Sequence, residues 1–336
     1  LWNRAADEEI TEPQWTPSVT KPFAYTTGST MTVNVLMTSE DVTDAVDIRY
    51  TVGGTWRNSL GEIKGTPYSV DKDTGHGSFP YSLAHQTTAL DSVMDYRLDQ
   101  SYDFYVRKSS ADEWCYADEG NATHPQVYLT FGQLIGPWGP SANPRGCWSR
   151  VVKNACEWMP ETGYTAQYER EAMKRLAYKA YMSSGVTYDG NRSHYVLLPD
   201  ETNPTSRRFN CWHFITDLDQ YADCQDMSLW WEMLCHSLGT SAYAQRIDGP
   251  FTTKPILPVG GSSWGSYPWN FHHIGWDNAV FDPCVEVNQS SPRVPQDEGI
   301  NNPYKTDIYN SGTWNPLGGF ALGGTDPFLN LPTEVN

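Results

Sequence analysis

The run Asp223-Cys224-Gln225-Asp226-Met227-Ser228 sets a cysteine at the point where a helical period begins. A thiol on the first turn of a helix feels the positive end of the macrodipole and the unpaired N–H groups there, and both favour the thiolate. The thiolate is the nucleophilic form, and the same N–H groups can hold the oxyanion of an attacked carbonyl. Cys224 therefore reads either as the nucleophile of an acyl transfer or as one half of a disulfide. A second constellation lies further on. Phe271-His272-His273-Ile274-Gly275-Trp276-Asp277-Asn278-Ala279-Val280-Phe281-Asp282-Pro283-Cys284 reads as two strands joined at Asp277-Asn278, residue types that tolerate positive φ. With a two-residue turn there, His273 stands directly opposite Asp282, their Cβ atoms about 4.5–5.5 Å apart on one face. A carboxylate at that separation can orient an imidazole. His272 then projects from the other face, and a slip of one residue exchanges the two histidines.

These groups need elements to hold them. Met227, Trp230, Trp231, Leu234 and Leu238 share one face of a helix over 224–238, with Gly239 at its C′ position. Upstream, Tyr168, Ala172, Leu176 and Ala180 recur every fourth residue, Glu171 and Arg175 pair on the surface, and Gly185 ends the run, which predicts a helix over 166–183. Short strands are expected near 241–247, 269–275 and 279–285. The N-terminal part alternates with period two instead. Met31, Val33, Val35 and Met37, then Val46, Ile48, Tyr50 and Val52, then Tyr102, Phe104 and Val106 take one face of their strands, with Gly53-Gly54, Gly75–Gly77 and Gly120 as punctuation. That pattern predicts an antiparallel β-sandwich of immunoglobulin-like shape, without catalytic groups, suited to a spacer or adhesion module. The predicted organisation is a β-sandwich over 1–132, a Gly/Pro-rich linker over 133–147, an α+β domain over 148–290, and an irregular extension over 291–336 that covers the core or serves as an interaction tail.

Composition narrows the class. The chain has 336 residues, enough for two domains. Its 23 basic and 40 acidic residues give a net charge of −17, which repels phosphate backbones and argues against a nucleic-acid partner. No apolar run approaches the roughly 18 residues of a membrane span. The chain begins at Leu1 with a polar, acidic lead and carries seven cysteines in no metal-knuckle spacing, which reads as a mature secreted protein with six cysteines paired and one spare. Asp217, Asp219, Asp223 and Asp226 lack the spacing of a calcium loop and read first as a solvated acidic rim, with calcium the alternative and no other cofactor or metal expected.

The helix opened by Asp-Cys, followed by Leu234–Leu238, Gly239, the strand Ala242–Ile247, a His strand and a Phe-Asp-Pro strand, resembles the transglutaminase-like superfamily within the papain-like cysteine enzymes. The segment Gly185-Val186-Thr187-Tyr188-Asp189 resembles that family's lead-in, and the likeness covers roughly 150–290. It implies a papain-like α+β fold in which Cys224 is the nucleophile, His273 the general base and acid, and Asp282 the residue that orients the histidine. It also implies an upstream aromatic donor to the oxyanion, with Trp212 and Tyr221 the candidates, and a protein or peptide amide as substrate. Only eight residues separate His273 from Asp282, fewer than the family's usual hairpin, which narrows the rim of the cleft. A different class also fits the Gly, Pro and aromatic richness: a catalytically silent scaffold that self-associates in an extracellular assembly.

Overall fold

A computed structural model of the chain describes residues 2–3, 8–9, 14–16, 19–27, 29–39, 46–52, 68–70, 79–88, 94–97, 100–107, 110–123, 126–135, 147–159, 168–192, 194–197, 208–209, 211–216 and 221–316. The chain divides into two compact units, Ile10–Leu129 and a second made of Leu1–Glu9 with Thr130–Asn336. The fold is mixed α+β with antiparallel sheets. Among the described residues no helix is long and apolar enough to cross a membrane.

In the first unit the three alternating runs are strands, Thr30–Ser39, Val46–Val52 and Gln100–Arg107. Gln100–Arg107 lies between Val46–Val52 and Cys115–Thr123, and Thr30–Ser39 forms a long antiparallel ladder with Phe79–Thr88. Gly120, expected as a turn, lies inside a strand, beside the place where the ladder between Gln100 and Tyr102 slips its register. A glycine within a strand commonly marks such a bulge. Gly53-Gly54, Gly75–Gly77 and the linker over 136–146 lie outside the described residues.

The second unit is built on α1 (Ser149–Glu157), α2 (Glu169–Ser183), α3 (Cys211–Thr216) and α4 (Cys224–His236), with α5 (Lys305–Ile308) near its end. Its strands include β1 (Thr187–Tyr188), β2 (Tyr221–Ala222), β3 (Tyr243–Thr253), β4 (Pro268–Trp276), β5 (Val280–Phe281), β6 (Gln296–Glu298), β7 (Tyr309–Gly312) and β8 (Asn315–Pro316). The main sheet runs β6-β5-β4-β3-β7, with β8 also on β3. Residues 291–316 are therefore sheet strands and a helical turn, not an irregular extension; 317–336 lie outside the described residues.

α4 is the centre of this unit. Every residue from Cys224 to Cys235 is buried, the condition of a helix covered on all sides. Asp223 caps it, accepting the N–H groups of Gln225 at 2.8 Å and Asp226 at 3.0 Å, while Asp226 accepts the N–H of Asp223 at 3.1 Å in return. Asp226 also takes the N–H groups of His194 and Tyr195. These two aspartates thus stitch a helix start and are no solvated rim; Asp217 and Asp219 lie outside the described residues. At the other end Gly239 adopts φ +78° and lets the chain turn back.

The helix lies close on the sheet because of Gly275. Any Cβ there would overlap the ring of Trp231. Trp231 stacks on Phe281 of the next strand at 5.0 Å and anchors its Nε1–H on the Met173 carbonyl of α2 at 3.1 Å. Gly275→Ala should destabilise the unit by about 1–3 kcal/mol, the range for overpacking a filled core. Gly265→Ala, with nothing near its would-be Cβ, should be close to neutral in the same urea titration.

Glu232 ties α4 to β3 by accepting the Ala244 N–H at 2.7 Å, and burial pushes its carboxyl from 4.5 up to about 8. Burial and the charge of Asp223 push Asp226 likewise to about 8. Between their ordinary values and about 8 the folded chain holds protons that the unfolded chain has released, so stability falls as pH rises through that window. The urea midpoint should be higher at pH 5 than at pH 8, and Glu232→Gln should reduce the difference.

Candidate active site

Cys224 is the first residue of α4 and is 5 % exposed. Its Sγ lies 4.0 Å from Nδ1 of His273 on β4, and the backbone N–H of His273 also reaches the sulfur. The Tyr188 hydroxyl, carried on β1, is near enough to the thiol to pull its pKa down. On the far side the Cys284 thiol approaches the Cys224 carbonyl at 3.8 Å. The predicted nucleophile and the predicted histidine therefore meet, at the outer edge of what direct proton transfer tolerates before substrate binds.

The electrostatics run against the simple expectation from the helix N-terminus. Burial, and after it the negative charge of Asp223, push the Cys224 thiol well above its ordinary value, and the hydrogen bonds from His273 and Tyr188 pull it only partly back. A macrodipole acts through partial charges at the helix end, whereas taking a thiolate out of water removes its entire hydration. In this closed arrangement burial favours the thiol form of Cys224.

Asp282 does not sit against His273. Its Oδ2 lies 2.8 Å from Nε2 of His272, and both side chains are fully buried. The reason is the hairpin register. Gly275 pairs with Phe281 and Trp276 with Val280, so the loop is Asp277-Asn278-Ala279 with Asn278 at φ 55°, one residue longer than a two-residue turn. That single step swaps the faces and exchanges the histidines. Arg170 on α2 clamps the loop from outside, donating to the Asp277 carbonyl at 2.7 Å and its carboxylate at 2.8 Å while also pairing with Asp297. The strand expected over 279–285 stops after Phe281, because Pro283 has no N–H to continue the ladder. Asp282 is left in the break, where it accepts the Cys284 N–H at 2.9 Å and the Tyr304 hydroxyl at 2.6 Å.

Of the two oxyanion candidates, Tyr221 is 49 % exposed with its ring stacked on His194. Trp212 lies on α3, and its side chain is outside the described set. The aromatic residue near the sulfur is Tyr188, part of the Gly185–Asp189 lead-in; the apolar–polar alternation Val186-Thr187-Tyr188-Asp189, with Val186 and Tyr188 on the buried side, is the available signal. Cys284, His272 and Tyr304 complete the cluster. All seven cysteines are free thiols, six of them buried, so the expected disulfide framework does not form. Among the described residues no group of three or more His, Cys, Asp or Glu side chains is arranged to hold a metal ion.

No protein-family profile matches this sequence, and no curated protein matches it. Among solved structures the chain is similar to red sea bream transglutaminase, at a TM-score of 0.37 and 8 % sequence identity, over 79 % of this chain and 49 % of that one. The chain thus spans about half the length of that protein.

Asp223→Asn keeps an oxygen for the cap but removes the charge beside the sulfur, so the Cys224 thiol should titrate lower. Iodoacetamide labelling of the Cys224 peptide at pH 8, read by mass spectrometry, should become severalfold faster, and an unchanged rate would show that Asp223 does not govern the thiol. Denatured, unreduced protein should titrate seven thiols.

Proposed function

We propose that this chain is a thiol-dependent acyl-transfer enzyme of the transglutaminase-like kind, with Cys224 as nucleophile. What carries the reading is the 4.0 Å approach of Sγ to the His273 ring at the first turn of a capped helix. In the reaction the thiol proton passes to an imidazole of the His272-His273 pair, and the sulfur attacks a carboxamide or peptide carbonyl. The C–N bond breaks, the departing amine or ammonia takes the proton back from the imidazole, and a thioester remains. A second amine then gives an amide cross-link, whereas water gives the carboxylic acid. Asp223 already takes the Gln225 and Asp226 N–H groups, so the Tyr188 hydroxyl is the candidate donor to the developing oxyanion. The N-terminal unit, as an immunoglobulin-like sandwich, would be a spacer or adhesion module, and an extracellular location is part of the same proposal.

A second reading is favoured by one observation. Cys224 is nearly inaccessible and its thiol is pushed up by burial, as in a silent scaffold that self-associates. The reactive ester p-nitrophenyl acetate separates the two without a known substrate. The enzyme reading expects release of p-nitrophenol and an acetyl thioester on the Cys224 peptide, lost in Cys224→Ser and slowed by about 100-fold or more when the working histidine is replaced by Gln. Acetylation of the exposed Cys115 with none at Cys224 would leave only the scaffold. Products formed with and without an added primary amine then divide transfer from hydrolysis.

A further inference from the structure

Three donors converge on Asp282: His272 Nε2 at 2.8 Å, the Tyr304 hydroxyl at 2.6 Å and the Cys284 N–H at 2.9 Å. Tyr304, Asp282 and His272 are all fully buried. A buried carboxylate and imidazole are costly to desolvate, and a purely structural pair is expected to be satisfied at both ends. This one is not, since Nδ1 of His272 is buried and has no partner among the described residues. The ring cannot turn freely to find one. It stacks on Trp269 at 4.2 Å with an interplanar angle of 17°, and Nε2 is held on Asp282.

We propose that Tyr304 is a positioning residue of the Cys224 site, acting through Asp282 to fix His272 with Nε2 protonated and Nδ1 open to accept a proton. The proposal rests on the acyl-transfer reading of Cys224. Cys284 joins this cluster to the site, its N–H on Asp282 at 2.9 Å and its thiol 3.8 Å from the Cys224 carbonyl, and burial raises the phenol of Tyr304, so its hydroxyl stays a donor. His272 and His273 face different partners because they are neighbours on one strand. His273 meets the thiol, whereas His272 carries the carboxylate that holds an imidazole in one tautomer and stabilises its charged form. The segment that supplies Tyr304 lies beyond the Phe-Asp-Pro strand. Its own aromatic contact is the Trp314 ring at 6.2 Å, which the phenylalanine variant keeps.

The experiment follows the acetylation of Cys224 by p-nitrophenyl acetate across pH in wild type and in Tyr304→Phe. Loss of the hydroxyl should slow acetylation about tenfold, what one hydrogen bond to a charged group is worth. It should also move the midpoint of the rate–pH curve upward, since a carboxylate relieved of a donor holds more charge against its imidazole. On a His272→Gln background the same change should cost nothing further. A Tyr304→Phe protein with wild-type rate and midpoint overturns the proposal while leaving the enzyme reading intact. Wild type and Cys224→Ser behaving alike overturns both. Should Tyr304→Phe fail to fold, imidazole nitrogen NMR on wild type decides: a neutral His272 ring protonated on Nε2 supports the arrangement, and one protonated on Nδ1 overturns it.

Discussion

The site depends on how closely α4 lies on the sheet. Trp231 lies over Gly275, a strand position without a side chain, and stacks on Phe281 across the hairpin. The same residue is pinned from α2 through the Met173 carbonyl. Interiors at crystal-like density move as rigid pieces, so this contact two turns into the helix sets where its first residue ends up. Cys224 faces β4 because Trp231 is seated.

The start of α4 shows two demands in opposition. A helix that begins inside a core must satisfy its first N–H groups, and Asp223 and Asp226 do so with reciprocal hydrogen bonds. The Asp223 carboxylate that makes the cap also places negative charge beside the sulfur, which disfavours the thiolate, and burial disfavours it more strongly still. Stability and reactivity therefore pull against one another at one residue. Access of water or substrate to Cys224 would relieve the larger of the two penalties.

Much of the site unit was legible because its signals are local. The period of Met227, Trp230, Trp231 and Leu234 marks α4, Gly239 marks its end, and Asp223 its beginning. The paired histidine and Asp-Pro strands were equally plain. The register between them was not. Asp277-Asn278 suits a two-residue turn by residue type, but Arg170, far away in the chain, grips Asp277 and the loop takes in Ala279. Since side chains alternate along a strand, that one residue moved Asp282 from His273 to His272. The role of residues 291–316 was equally hidden, for a Pro, Gly and Asn-rich stretch has no period to betray strands that merely pair at a sheet edge.

By itself the sequence determined which residues carry reactive groups and which local elements bear them, because caps, periods and turn formers act over a few residues. It also determined a strongly acidic chain. Tertiary structure alone decided which histidine meets the thiol, which one the aspartate holds, and that Tyr188 and Tyr304 enter the cluster. It likewise decided that the cysteines stay apart as free thiols and that burial pushes the Cys224 thiol up. Those outcomes follow from register, desolvation and long-range contact, each of which depends on residues distant in the chain coming to share one small volume.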